Sequence, residues 1–116
     1  MTRFLIIALF AASPLAAAEW PTKPGDAPLT AEELDGLAGR TLTFYDDGQS
    51  RFSAGGAYSF TYASGESAFG TYSIAEDGSV CIAYRNGFSR CDMYVHSGDR
   101  LILIDEKGDR YPVRPE

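Results

Sequence analysis

Residues able to do catalytic chemistry are scarce in this sequence of 116 residues, which has two cysteines and one histidine, His96. A catalytic histidine needs a nucleophile and an orienting acid beside it. The sequence contains no Gly-x-Ser-x-Gly elbow. Residues 65–70 contain a serine between two glycines, but with a different spacing. We therefore predict no catalytic residue and interpret His96 as a surface residue at a strand end. A hydrolase built on His96 and scattered acids is the less favoured alternative.

Tyrosines and one arginine supply the stronger signal for binding. Tyr84, Arg90 and Tyr94 fall on one face of a predicted hairpin. The plainer interpretation of the aromatic residues is core packing, with the tyrosine hydroxyls reaching the rim. The alternative is a pocket or platform where tyrosines and Arg90 contact a small ligand or a partner protein. Under that alternative, these three residues form the candidate binding site.

Acidic pairs stand at several predicted glycine-containing turns, for example Asp46-Asp47 and Asp105-Glu106. An acid followed by glycine is ordinary turn chemistry, and the spacing of a calcium-binding loop is absent from the sequence. His96 and two distant cysteines are too few ligands for a zinc site. We predict no metal site and no cofactor.

The N-terminus reads as a secretory signal peptide over residues 1–18. Arg3 precedes the apolar run 4–12, and small residues lead to a cleavage site expected after Ala18. The run is shorter than the ~20 residues that a membrane span requires. We expect the mature chain to lack a membrane span and to reside in the periplasm or outside the cell.

The mature chain is predicted to divide into a proline-rich arm with a short helix, 19–40, and a β domain, 41–116. Thr30 and Glu33 fit a capping box at the start of that helix. Gly39 is the expected stop, which gives a helix of about two turns.

Glycine-containing turns divide the chain after residue 41 into short segments that alternate or are rich in β-branched and aromatic residues. This pattern predicts an all-β fold, a small antiparallel meander or lipocalin-like barrel of up to eight strands. The clearest predicted strands contain Leu42 and Phe44, Tyr58 to Tyr62, Tyr72 and Ile74, Val80 to Tyr84, Met93 and Val95, and Leu101 to Ile104.

Cys81 and Cys91 are predicted to form a disulfide, because an even number of cysteines in a small exported chain is usually paired in disulfides. A three-residue loop, 85–87, sets them directly opposite each other, as the bond requires. A two-residue loop, Asn86-Gly87, gives a cleaner apolar stripe but places the cysteines on opposite faces. We favour the three-residue loop, and a bulge would reconcile the two patterns.

The formal net charge of −6, without a cluster of basic residues, argues against two classes of partner. Nucleic-acid binding depends on neutralising phosphates with lysine and arginine. Anionic membrane surfaces likewise attract polybasic segments. We therefore expect neither partner.

Turn residues and the cysteine pair carry a resemblance to a known group. They lie in Gly70 to Ile74, Asp77 to Tyr84, Arg90 to Tyr94, Gly98-Asp99 and Asp109 to Pro112, preceded by Leu29 to Leu34. The sequence resembles small exported proteobacterial proteins known only as a domain of unknown function, over about residues 29–113. This resemblance implies a periplasmic β domain and carries no activity or catalytic residue. The predicted fold is also similar to small periplasmic lysozyme inhibitors, without a matching inhibitory loop.

The residues favour binding over catalysis. Our first hypothesis is a non-enzymatic β domain that binds a small molecule or an envelope protein through Tyr84, Arg90 and Tyr94. The alternatives are an inhibitor of an envelope enzyme such as lysozyme and an uncharacterised hydrolase.

Overall fold

The structure is a computed structural model that describes residues 20–116, so the predicted signal peptide, 1–18, lies outside the described residues. Within residues 20–116 there are nine strands and one α-helix. In chain order the elements are β1 (Asp26–Pro28), α1 (Ala31–Asp35), β2 (Thr41–Thr43), β3 (Gln49–Phe52), β4 (Ala57–Thr61), β5 (Ser67–Ile74), β6 (Val80–Tyr84), β7 (Ser89–Ser97), β8 (Arg100–Ile104) and β9 (Arg110–Pro112).

The strands form one antiparallel sheet that curls into a half-barrel, which confirms the predicted fold class. Strands β2 to β9 follow one another in sequence order, as a meander does. The two outer strands approach each other through a bridge between Phe44 and Val113 and through the Arg114 amide, which donates to the Thr43 carbonyl at 2.8 Å. This contact covers part of the exposed sheet edge, where unpaired backbone groups would otherwise invite aggregation.

Helix α1 begins as predicted and ends early. The Glu33 amide donates to Thr30 Oγ1 at 3.1 Å and the Thr30 amide donates to Glu33 Oε1 at 2.9 Å, a complete capping box. The helix ends at Gly36, so it is shorter than the expected two turns. Gly39, the predicted stop, instead lies in the following turn with φ of 86°. The short helix is held by packing, because Leu34 and Leu37 are buried.

The arm before the helix contains a strand that the sequence pattern does not reveal. Strand β1 pairs with Val95 to Ser97 of β7. The Asp26 carboxylate, 1% exposed, accepts hydrogen bonds from both terminal nitrogens of Arg110 at 2.9 Å. Those hydrogen bonds lower the pKa of Asp26 to about 2. Three residues are too few to show alternation, so tertiary pairing creates this strand.

The hairpin of β6 and β7 has the predicted three-residue register. Cys81 pairs with Cys91 and the two form a disulfide. Gly87 has φ of 93°, the left-handed conformation that this loop requires. The register fixes which side chains of β7 face the interior of the half-barrel and which face outward.

Two hydrophobic clusters lie on opposite faces of β7. The inner cluster fills the half-barrel and contains, among others, Leu34, Leu37 and Tyr94. The outer cluster consists of Met93, Val95, Ile102 and Ile104, with Trp20 packed against it. Because successive residues of a strand point to opposite faces, β7 contributes to both clusters.

Candidate functional site

A pocket of about 150 Å³ opens at the end of the half-barrel away from helix α1. Helix α1 contacts β7 near His96, whereas the pocket contacts β7 at Arg90 and Asp92. At about 3.3 Å per strand residue, Arg90 and His96 are roughly 20 Å apart. We call these two regions the pocket end and the helix end. The pocket is lined by Phe44, Asp46, Phe60, Arg90, Asp92, Leu103, Asp105 and Tyr111.

Arg90 and Asp92 form the inner wall of the pocket. Arg90 Nε lies 3.1 Å from Asp92 Oδ2, an ion-pair distance without hydrogen-bond alignment. Arg90 Nη2 donates to the Tyr58 hydroxyl at 3.4 Å, and the guanidinium lies 5.8 Å from the centre of the Phe60 ring. Arg90 is therefore held between an acid and two aromatic residues at the base of the pocket.

Asp92 is a buried acid with an unused acceptor. The residue is 2% exposed, and burial raises its pKa to about 6, against the opposing effect of Arg90. Its Oδ1 atom is buried and accepts no hydrogen bond from any residue in the described part of the chain. A buried acceptor without a donor costs about 1–3 kcal/mol, and more when the group is charged. The half-barrel therefore holds a costly polar atom at the wall of a pocket.

Two further acids stand at the rim and are fixed by their own turns. Asp46 Oδ1 accepts a hydrogen bond from the Gly48 amide at 2.9 Å. Asp105 Oδ1 accepts from the amides of Lys107 and Asp109 at 3.0 and 2.9 Å. These bonds are ordinary turn chemistry for acids at glycine-containing turns, and they fix the orientation of both carboxylates beside the pocket.

Aromatic rings form the remaining walls. Phe44 is buried and Phe60 is half-buried, while Tyr111 is exposed at the rim. A Cβ atom on Gly48 would lie 2.7 Å from the end of the Phe60 ring. The tip of the Phe60 ring therefore packs directly against Gly48 in the β2–β3 turn, and a larger residue there would displace the ring.

The structure places the three predicted site residues, Tyr84, Arg90 and Tyr94, in different surroundings. Arg90 lines the pocket. Tyr84 is half-buried, its ring 6.0 Å from that of Tyr58, and Tyr94 is only 2% exposed within the inner cluster. Burial raises the pKa of both tyrosines. Tyr94 is thus packed within the inner cluster and offers no surface to a ligand.

Sequence reasoning missed the acids of this site, although one signal was present. Asp92 alternates with Arg90 and Tyr94, which places a carboxylate on the inner face of the hairpin. An acid on a core-facing position is a stronger indication of function than a tyrosine there, because isolated carboxylates are rarely buried. Asp46 and Asp105 come from distant turns, and no pattern along the chain joins them to Asp92.

His96 lies at the helix end and belongs to no part of the pocket. Its Nε2 atom is 2.9 Å from Glu33 Oε2, and each side chain is nearly half exposed. The hydrogen bonds of Glu33 with Thr30 and His96 lower the pKa of that acid. Glu33 thus joins the capping box of α1 to β7.

A larger groove of about 300 Å³ near the C-terminus is a weaker candidate. Two of its three arginines are already paired on the surface, Arg40 with Glu116 at 3.1 Å and Arg114 with Asp47. Exposed ion pairs contribute little, and none of the residues lining the groove has a buried side-chain polar atom without a partner.

The disulfide between Cys81 and Cys91 indicates an oxidising, extracytoplasmic environment for the folded protein. Over residues 20–116, no helix is long and apolar enough to cross a membrane. In the same range, no group of three acidic, histidine or cysteine side chains is arranged to hold a metal ion. Comparison with protein-family models, curated proteins and solved structures finds no match to this chain.

Proposed function

We propose that the protein is a non-enzymatic binding domain, exported to the periplasm by the signal peptide at 1–18, whose pocket end holds a small ligand. The observation that carries this proposal is Asp92 Oδ1, buried at the pocket wall without a hydrogen-bond donor. Stability alone would favour an apolar residue or a fully partnered acid at this position. A ligand that donates a hydrogen bond to Asp92 offsets the cost, so a binding role accounts for the residue.

A screen of small polar, charged and aromatic compounds by thermal shift tests the proposal. Compounds that bind at the pocket end raise the melting temperature of the protein by mass action. Phe60→Ala, which removes one wall, abolishes that rise. Phe69→Ala is the matched control, because Phe69 is an aromatic residue of the neighbouring strand β5, is 49% exposed and does not line the pocket. The proposal fails if no compound binds, or if every binder is indifferent to Phe60→Ala.

A protein partner is the second candidate function, favoured by two exposed aromatic side chains, one on β5 and one in the loop between β6 and β7. Phe69 and Phe88 are 49% and 62% exposed, and the Arg85 guanidinium lies 5.4 Å from the Phe69 ring. Aromatic residues and arginine are the types that dominate protein interfaces. An inhibitor of an envelope enzyme such as lysozyme is one form of this function. Lysozyme assays with added protein test it: inhibition that Phe88→Ser relieves supports it, and unchanged lysozyme activity opposes it.

A further inference from the structure

We infer that the ligand of the pocket end is a small organic cation bearing an ammonium or guanidinium group. This inference rests on the proposed binding function and names its ligand class. It depends on three features of the pocket: the unpartnered acceptor of Asp92, the balance of charges on the walls, and the aromatic rings that surround the opening.

The unpartnered Oδ1 atom of Asp92 requires a hydrogen-bond donor from the ligand. Asp92 Oδ2 already faces Arg90 Nε at 3.1 Å, whereas Oδ1 has no partner among residues 20–116. The side chain is 4% exposed, so bulk water does not solvate the carboxylate freely. A ligand N–H group is the natural partner, and a charged donor gives the stronger bond.

The charges of the walls favour a cation over an anion. The pocket is lined by the carboxylates of Asp46, Asp92 and Asp105 against the single guanidinium of Arg90. Arg90 is held by the charge of Asp92 at 3.1 Å, by the hydrogen bond from Nη2 to Tyr58 and by the Phe60 ring, although its Nε makes no hydrogen bond within residues 20–116. An anion reaching Arg90 would pass two rim carboxylates, whereas a cation is attracted by all three acids.

The shape of the pocket favours an organic cation over a metal ion. The acids of the described residues do not come together as a metal-binding group. Phe44, Phe60 and Tyr111 instead offer ring surfaces, which attract ammonium and guanidinium groups. A volume of about 150 Å³ admits a short alkyl chain with a charged end and excludes larger cofactors.

Isothermal titration with three probes of equal chain length tests the charge requirement. n-Butylammonium, n-butanol and butyrate differ in the end group and share their apolar part. We expect n-butylammonium to bind, and n-butanol and butyrate to bind at least tenfold more weakly or not at all. Binding of butyrate or n-butanol as tight as that of n-butylammonium would overturn the cation inference.

Isosteric variants locate the binding. Asp92→Asn removes the charge and keeps the shape, and we expect about a tenfold or greater loss of n-butylammonium affinity. Asp46→Asn at the rim gives a smaller loss and serves if Asp92→Asn does not fold. Asp35→Asn, an exposed acid on α1, is the matched control and leaves the affinity unchanged. Equal affinity in all three variants contradicts the inference.

Two outcomes separate this inference from the proposed function. If neutral or anionic compounds bind in a manner sensitive to Phe60→Ala while n-butylammonium does not, the cation class is wrong and the binding function stands. If no compound of any charge binds at the pocket end, the binding function itself fails. A lysine side chain carries the same ammonium group, so Nα-acetyl-lysine methylamide forms a further arm. Tighter binding than n-butylammonium assigns the site to a protein side chain, and weaker binding assigns it to a free amine.

Discussion

The acidic residues at the two ends of the half-barrel differ in their hydrogen bonding and in the direction in which their pKa values are shifted. At the helix end, Glu33 accepts hydrogen bonds from the Thr30 amide and contacts His96, and its pKa is lowered. At the pocket end, Asp92 is buried with one oxygen unpartnered, and burial raises its pKa to about 6. The helix end closes the inner cluster and stabilises the fold. The pocket end retains a destabilising group, which is typical of a binding site.

Apolar packing shows the same contrast. Leu37 is fully buried at the helix end, where it follows α1 and closes the inner cluster. At the pocket end, no described side chain fills the opening as Leu37 does at the helix end. The walls there combine aromatic rings with carboxylates. One continuous sheet forms both the helix end and the pocket end. The difference in packing therefore comes from the side chains that cover the inner face of the sheet at each end.

The largest expected effect on stability is that of truncating the buried Leu37 side chain at the helix end. Leu37→Ala deletes a side chain with 0% exposure and leaves a cavity, so we expect a loss of about 4 kcal/mol in the free energy of unfolding. Urea denaturation followed by circular dichroism measures it. Asp35→Asn, at an exposed position at the end of α1, is expected to change the stability little. A loss below about 1 kcal/mol for Leu37→Ala would show that the helix end does not stabilise the fold.

The titration of Asp92 gives the next largest effect. Its pKa is about 6 in the folded protein against 3.8 ordinarily, so the folded state binds more protons between these values. The stability therefore falls as the pH rises, by about 1.5 kcal/mol from pH 5 to pH 7.5 for this residue. Asp26, with its pKa lowered to about 2, acts in the opposite direction at pH values below this window.

Denaturation of the protein and of Asp92→Asn at pH 5 and pH 7.5 isolates this contribution. We expect the difference in stability between the two proteins to change by about 1.5 kcal/mol across the window. A constant difference would mean that Asp92 is not held in a destabilised, ionised state at the pocket end.

The smallest expected effect concerns the start of the helix. Thr30→Ala removes the hydroxyl that accepts from the Glu33 amide, and we expect a loss of about 1 kcal/mol. Thr30→Ser keeps the hydroxyl and should retain most of the stability. Equal losses in the two variants would show that the capping hydrogen bond is not what stabilises the helix end.

Local chemistry explains which parts of the fold the sequence can predict. Thr30 and Glu33 lie within one turn, and Cys81 and Cys91 lie within one hairpin, so the cap and the register follow from spacing alone. The short strand β1 depends instead on the free edge of β7, which no local pattern reveals.

The candidate site shows the same division. Arg90 was predicted from its position in the hairpin, and the alternation that identifies it also places Asp92 on the inner face. The other walls come from the turn after β2, from β4, and from the region of β8 and β9. Their meeting depends on the curl of the sheet, which brings together residues far apart in sequence and which a strand pattern does not specify.

Chemical-shift mapping with n-butylammonium on the isotope-labelled protein compares the two ends directly. We predict that the backbone amides of Asp46 to Gly48, Arg90 to Asp92 and Leu103 to Asp105 shift in a saturable manner. The amides of Ala31 to Leu37 and of His96 should remain unmoved. Saturable shifts at the helix end with an unmoved pocket end, or no shifts at either end, would contradict the assignment of the pocket end as a cation-binding site.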